Sequence, residues 1–295
     1  MQRDPAVCAV VVTHNRKELL HQSLRALQEQ TVPPDSVVVV DNASTDGTAA
    51  MVSEEFPEMD LLALDVNGGG AGGFAKGLRH GRRRGARWLW MLDDDTIATP
   101  TALQALLDAE RRLEGFARPL LLSSRVIWSD GTLHPMNMQV FKRDAAHYLE
   151  CVQRRVLPVR CATFVSMLVH RDAIDELGVP IESFFIWSDD IEYSARLTRD
   201  ANTGFVVPES LVEHRTKKAH VAITEAGDRF YYHVRNSCWM IKGNAFSAFE
   251  KLSVAFWLAY TTVGYARFNR LRPRSLAVIA RGLRDGLRPI PRTVS

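Results

Sequence analysis

Four runs of apolar residues at near-regular intervals constrain this chain more than any other feature. The first two, VCAVVV at 7–12 and SVVVV at 36–40, are continuous and largely β-branched. A strand with one face in water alternates polar and apolar residues, so unbroken runs mark strands covered on both faces. DLLAL at 60–64 and WLWML at 88–92 continue the series. Segments of helical character lie between them: Leu19–Gln30, with Leu20, Leu24 and Leu27 on one face, then 48–55 and 73–84. This βαβαβ rhythm predicts an α/β fold with an open, mostly parallel central sheet flanked by helices. Further on, the pattern predicts a helix at 101–114, strands at 120–127 and 160–169, and a loop entering a helix within Ser183–Thr198. A short strand at 204–207 should stop before Pro208, and the chain should be helical from Asp228. The expected division is a catalytic domain at 1–227, with halves 1–99 and 100–227, followed by a helical region at 228–295.

Charge separates the same two parts. Residues 267–295 carry eight arginines against Asp285, a net +7, and the rest of the chain carries −4. A basic end on an acidic body suits an anionic surface, and the absence of a recognised nucleic-acid motif argues against DNA or RNA. The first residues lack the layout of a signal peptide. Leu252–Ala266 is uncharged, but fifteen helical residues rise about 22 Å, short of a hydrocarbon core of about 30 Å. With its aromatic residues and the arginines beyond, this segment is expected to lie on a membrane surface, or else to pack in the protein or against another subunit. Four cysteines without CxxC spacing favour a reducing compartment, so a cytoplasmic, peripheral location is expected. Oligomeric state is left open.

In an open α/β sheet, ligands bind beyond the carboxyl ends of the strands. Polar clusters follow each of the four predicted strands: Thr13–Arg16, Asp41–Asp46, the loop NGGGAGGF from Asn67, and Asp93–Asp95. In the triple aspartate, alternate residues of an extended turn share a side, so Asp93 and Asp95 converge and Asp94 points elsewhere. Two neighbouring carboxylates suit a divalent cation such as Mn²⁺ or Mg²⁺. The bland reading is a solvated turn, which the three companion clusters make less attractive. The glycine loop precedes a helix and suits a diphosphate, although tight packing would equally demand glycine. A dinucleotide fold would carry its glycine fingerprint after the first strand, where THNR stands instead.

A second acidic centre, Trp187-Ser188-Asp189-Asp190-Ile191-Glu192, follows Phe184 and Phe185. One acid there could cap a helix, but three beside aromatic side chains suit sugar hydroxyls and a general base. His214 is a possible metal ligand, although a lone histidine is more often structural.

Together, VVVTHNR, VVVVDNASTDGT, NGGGAGGF, MLDDD, WSDDIEYSAR, VEHR and FYYHVRN resemble the GT-A fold, family 2 inverting glycosyltransferases, over about residues 7–240. The resemblance implies that Thr13, Asn15, Arg16, Asp41, Asn42 and Ser44 hold the nucleotide of a UDP-sugar donor. Asn67, Gly70, Gly72, Gly73, Asp93 and Asp94 join that donor site, and Asp93, Asp95 and His214 bind metal. Within the family, the chain is similar to the galactofuranosyltransferases of actinobacterial cell-wall galactan, of the shorter, initiating type. This implies transfer of galactofuranose from UDP-galactofuranose to a rhamnosyl–GlcNAc diphosphate on polyprenol. Asp190 would be the base, Asp189 and Glu192 would contact sugar, and Trp187 and Trp128 would face the acceptor. Ser188 departs from a relative in which tryptophan directly precedes the two aspartates. The competing readings are a dTDP-rhamnose-dependent rhamnosyltransferase of the same family, a non-catalytic sugar- or nucleotide-binding module, and a nucleotidyltransferase.

Overall fold

The computed structural model describes residues 6–142, 147–199, 203–216, 218 and 223–290. Its first half alternates as predicted: β1 (Val7–Thr13), α1 (Lys17–Gln28), β2 (Ser36–Asp41), α2 (Thr48–Glu55), β3 (Asp60–Ala63), α3 (Gly69–Arg83) and β4 (Trp88–Asp93). These four strands pair in parallel in the order β3-β2-β1-β4. All seven residues of β1 are buried, the outcome expected of an unbroken apolar run with helices on both faces.

Helix α3 starts four residues before the expected position, inside the glycine run. Gly69, Gly73, Gly77 and Gly81 are spaced by four and share one face of it. A Cβ added at Gly73 would lie 2.5 Å from Val12 Cγ1, and one at Gly77 would lie 2.3 Å from Val10 Cγ1. Neither contact is tolerable, so these glycines let α3 lie directly on β1. Much of the glycine enrichment therefore serves helix–sheet packing.

The second half is mixed. It contains β5 (Thr96–Ala98), α4 (Ala102–Leu113), β6 (Leu121–Ile127), β7 (Val140–Phe141), α5 (Tyr148–Gln153), β8 (Leu157–Cys161) and β9 (Ser166–His170). Then follow α6 (Arg171–Leu177), α7 (Asp189–Leu197) and β10 (Gly204–His214). The sheet extends from β4 through β9, β6, β10 and β8 to β7, with β5 on β10. Antiparallel β9 joins the parallel pairs β1–β4 and β6–β10.

Two expectations change here. The predicted strand at 160–169 is the end of β8, a turn, and then β9. The Ser194 hydroxyl of α7 accepts from the Ala162 amide at 3.0 Å and lies 3.1 Å from its carbonyl, which takes this residue out of the ladder. The predicted short strand does not stop at Pro208. Its pairing with β6 shifts register between Val207 and Leu211, so the proline sits in a bulge where no ladder donor is needed.

Helices α8 (Phe230–Lys242), α9 (Ala248–Phe268) and α10 (Pro273–Leu287) complete the described chain. They pack on the body. Phe230 and Tyr265 stack at 3.9 Å, and the α9 capping box of Ser247 and Glu250 is tied to β8 by an Arg160–Glu250 ion pair of 2.6 Å.

Candidate active site

The chain runs outward from β1 to β3 and then crosses back to β4 on the other flank of β1. This reversal opens a crevice at the carboxyl ends of β1 and β4. Val12 pairs with Asp93, so the loop after β1 faces the triple aspartate. The Thr13 hydroxyl donates to Asp94 Oδ2 at 2.8 Å. Arg16 reaches Asp94 at 3.3 Å and also pairs with Asp95. The second loop braces the first: Asn15 N donates to Ser44 Oγ at 2.9 Å, and Asp41 accepts from Ser44 N at 3.0 Å.

Strand β10 brings His214 to the same place. It pairs with Thr96, the neighbour of Asp95, and its Nε2 lies 2.9 Å from Asp95 Oδ1. On the other side of the ring, Nδ1 is 2.8 Å from Asn137 Oδ1. Asn137 donates its own amide to Thr163 Oγ1 at 3.3 Å, which directs its oxygen at the ring. Nδ1 therefore carries a proton, and Nε2 is left to the carboxylates. His134 lies against the imidazole at 4.9 Å between ring centroids.

One oxygen from each of Asp93 and Asp95 and one nitrogen from His214 lie within 4.8 Å of one another. Burial, then the charge of Asp95, pushes Asp93 up to about 7. Burial likewise carries Asp94 to about 6. Burial also opposes ionisation of Asp95, but His214 and Arg16 outweigh it and hold this carboxyl below its usual range. A site that makes one acid retain a proton near neutrality is short of positive charge. Two hard oxygens and an imidazole nitrogen can take a divalent cation in place of that proton.

The second acidic centre rests on an unusual turn. Phe185, Trp187 and Ser188 have φ of 65°, 65° and 63°, in the left-handed region. Asn236, fully buried in α8, holds them: its Nδ2 donates to the carbonyls of Phe184 at 3.0 Å, Ile186 at 3.0 Å and Trp187 at 2.7 Å. Arg235 adds bonds to Ser183 O at 2.6 Å and Phe184 O at 2.9 Å. Gly69 of α3 lies against this turn, where an added Cβ would meet Phe185 O at 2.1 Å. The turn delivers Asp189 and Asp190 to the start of α7. Burial raises Asp190 to about 6 and, with the charge of Asp190, raises Asp189 well above the carboxylate range. Asp190 in turn contributes to the rise at Asp93, so the two acidic centres share one field. Both open into a cavity of about 1600 Å³, whose walls include Asn15, Arg16, Asp95, Trp187, Asp189 and Asp190.

Residues 8–178 match the family model described as glycosyl transferase family 2, more than half of the chain. The chain belongs to glycosyl transferase family 2. Galactofuranosyltransferase GlfT1 of Mycolicibacterium smegmatis is 31% identical over 203 residues, 68% of this chain and 67% of that protein. N-acetylglucosaminyl-diphospho-decaprenol L-rhamnosyltransferase of Mycobacterium tuberculosis (strain H37Rv) is 24% identical over 263 residues, covering 78% and 85%. Among solved structures, S. aureus TarS 1–349 in complex with UDP-GlcNAc superposes with a TM-score of 0.62 at 16% identity, covering 97% of this chain and 81% of that one. The protein is thus a glycosyltransferase with the GT-A fold.

In this family 2 transferase, the residues anticipated for donor and metal converge at one crevice, with individual differences. Asp94 does not face the cavity; it is buried under Thr13 and Arg16 and positions the β1 loop. Asn42 holds the glycine loop, accepting from Gly68 N at 3.3 Å and donating to Gly69 O at 3.1 Å. Asn67 accepts from Gly69 N at 2.8 Å. The three glycines of the expected diphosphate cradle, Gly70, Gly72 and Gly73, meet different surroundings. Gly73 packs on Val12, a Cβ at Gly72 would meet nothing within 4 Å, and the Ala71 amide is taken by Phe185 O at 3.2 Å. Gly70 faces Asp189, whose Oδ2 would be in ordinary contact, at 3.6 Å, with a Cβ there. Glu192 is drawn from the cavity by a two-pronged pairing with Arg196, both contacts at 3.1 Å. Trp128 also lies outside the cavity lining; its indole N–H donates to Thr216 O at 3.1 Å and braces the segment after His214. Asn137, His134 and the pair Arg235–Asn236 were not anticipated as supports. The quoted HVRN held a signal for the last pair, since a polar pair inside a buried helix needs polar partners.

Proposed function

We propose that the protein transfers galactofuranose from UDP-galactofuranose to a rhamnosyl–GlcNAc diphosphate carried on polyprenol, with inversion, as an initiating step of cell-wall galactan. The observation that carries this reading is that Asp95, clustered with Asp93 and His214, and Asp190 line one large cavity, with Asp190 close enough to raise Asp93. Resemblance to GlfT1 supports the donor, and the L-rhamnosyltransferase supports a diphospho-polyprenol acceptor. The GlfT1 alignment spans about two thirds of each protein, so the whole activity is inferred.

Asp93, Asp95 and His214 would hold a divalent cation, which when bound supplies positive charge to the departing diphosphate. Arg16 adds a fixed cation at that end, and Asn15 with Ser44 shapes the loop beside the nucleotide. Asp190 accepts the proton of the acceptor hydroxyl. The acceptor oxygen forms the new bond to the anomeric carbon as the bond to the UDP oxygen breaks on the opposite face. With a pKa of about 6, Asp190 is ionised at neutral pH yet still basic enough to take that proton. Asn236 and Arg235 keep the base in place, and Asn137 keeps Nε2 of His214 toward the cation site.

The second reading is a dTDP-rhamnose-dependent transferase, favoured by the 85% coverage of the rhamnosyltransferase. A donor screen separates them. UDP-galactofuranose and dTDP-rhamnose are offered with a synthetic rhamnosyl–GlcNAc acceptor, and products are read by mass. Transfer from UDP-galactofuranose alone is expected; transfer only from dTDP-rhamnose would replace the proposal.

A further inference from the structure

The cavity does not end at the chemistry. Beyond Asp190 it runs between α8 and α9, where its walls become apolar: Ile191, Met240, Phe246, Val254 and Trp257. Between the two ends stands Arg229. It is exposed, lies 5.8 Å over the Trp187 ring, and has no carboxylate partner among the described residues. The other guanidiniums on this wall are neutralised, Arg160 by Glu250 and Arg215 by Glu213. Among the described lining cations, Lys17, Lys218 and Arg229 have no carboxylate partner, and Arg229 is the one that lies over Trp187, two residues before Asp189.

The apolar end opens to the outside. Phe249 and Trp257 line the cavity and are also 79% and 54% exposed. On the adjoining face of α9, Phe249, Leu252, Phe256, Tyr260 and Val263 recur at intervals of three or four, all more than half exposed. They form one stripe about 21 Å long. Arg267 stands one turn further along that stripe. Arg267, Arg270 and Arg272 have no carboxylate partner among the described residues, whereas Arg274, Arg284 and Arg288 are paired with Asp228 or Asp285. No described helix is long and apolar enough to cross a membrane. A stripe of aromatic and aliphatic side chains ending in unpaired arginines matches the apolar-over-anionic layering of a bilayer surface.

We propose that the α8–α9 arm of the cavity holds the first part of an acceptor's prenyl chain, that Arg229 faces its diphosphate, and that the outer face of α9 rests on an anionic bilayer, so the lipid enters from the membrane. This deepens the acceptor reading above and rests on it for the sugar, while the lipid part stands on the cavity and the stripe.

Binding of probes without sugar separates the two. Trp fluorescence of the full chain is titrated with inorganic pyrophosphate, geranyl diphosphate and farnesyl diphosphate, with UDP titrated as a control of the donor end. Affinity should rise at least tenfold from pyrophosphate to farnesyl diphosphate. Val254→Asp should remove that gain and Arg229→Ala should weaken both prenyl probes, each with UDP affinity retained. If Val254→Asp misfolds, Trp257→Ser serves, read through Trp187 and the remaining tryptophans. Equal affinity for pyrophosphate and farnesyl diphosphate in the unaltered protein would overturn the proposal. Co-sedimentation with phosphatidylglycerol-containing vesicles tests the seat: Leu252→Asp with Phe256→Asp should lower partition about a hundredfold. Unchanged partition, or a stripe that instead forms a dimer abolished by the same pair, would overturn the membrane contact. Failure of the donor screen would leave these binding results standing.

Discussion

Asn236 is the side chain whose loss should most clearly connect fold to catalysis. Its amide supports a turn in which Phe185, Trp187 and Ser188 all lie at positive φ. Each such residue costs on the order of 1–3 kcal/mol unless its surroundings enforce it. In Asn236→Ala, Phe184 O keeps Arg235 and the Ile186 amide, but the carbonyls of Ile186 and Trp187 lose the bonds described above. A carbonyl left without a partner costs about 1–3 kcal/mol, and these two residues are only half-buried, so about 2–4 kcal/mol is expected in total. For a chain of this size, that lowers Tm by about 3–6 °C. Because the relaxed turn carries Asp189 and Asp190, kcat should fall more than tenfold while UDP affinity changes little. Asn236→Asp is the decisive companion. It keeps the shape, loses the donors and places a carboxylate against carbonyl oxygens, so it should be at least as damaging as alanine. Wild-type Tm and kcat in Asn236→Asp, by scanning calorimetry and product assay, would refute the reasoning.

Asp190→Asn should reduce transfer by about three orders of magnitude with UDP binding intact, since the amide cannot accept the proton; calorimetry and turnover together check it. Asn137→Leu should weaken Mn²⁺ binding about tenfold or more by freeing the His214 ring, measured by titration calorimetry on the protein alone. The pH dependence of stability follows from the buried acids. The raised groups Asp93, near 7, and Asp94 and Asp190, near 6, hold more protons folded than unfolded, as does His214. They outnumber His134, His170 and His233, which burial lowers and which hold fewer, so folded stability should fall as pH rises from 5 to 8. Mn²⁺ should therefore raise Tm more at pH 8 than at pH 5.5, and a larger rise at the lower pH would contradict the cation site.

Strands β1, β2 and β4 were legible because doubly covered strands have one signature, the unbroken apolar run, whereas β3 is a half-buried edge strand that followed from the alternation with helices. The convergence of Asp93 with Asp95 was legible because a turn alternates its side chains. Less visible were features set by distant contacts. Ser194 splits the predicted strand at 160–169 from a helix more than thirty residues later, and nothing local marks it. Pro208 reads as a stop until the register shift supplies a bulge around it. In the glycine run, packing against Val12 and Val10 and ligand approach call for the same residue, and only coordinates distinguish the two demands. Trp128 and Glu192 carry the right chemistry for a sugar site, but Thr216 and Arg196 draw them elsewhere.

The pairing of β10 with β5 has a consequence for how such enzymes diverge. The matched family model ends at residue 178, before Asp190, His214 and Asn236. His214 nevertheless closes on Asp95 because one short antiparallel ladder, from Val212–Ala98 to His214–Thr96, joins the late segment to the early one. The nucleotide side can therefore stay fixed while the segment from Phe184 to β10 is rewritten for another sugar, provided that ladder keeps its register. Exchanges of substrate preference among relatives should concentrate on the far side of this seam, and a one-residue slip there would separate ligand from ligand without disturbing the core.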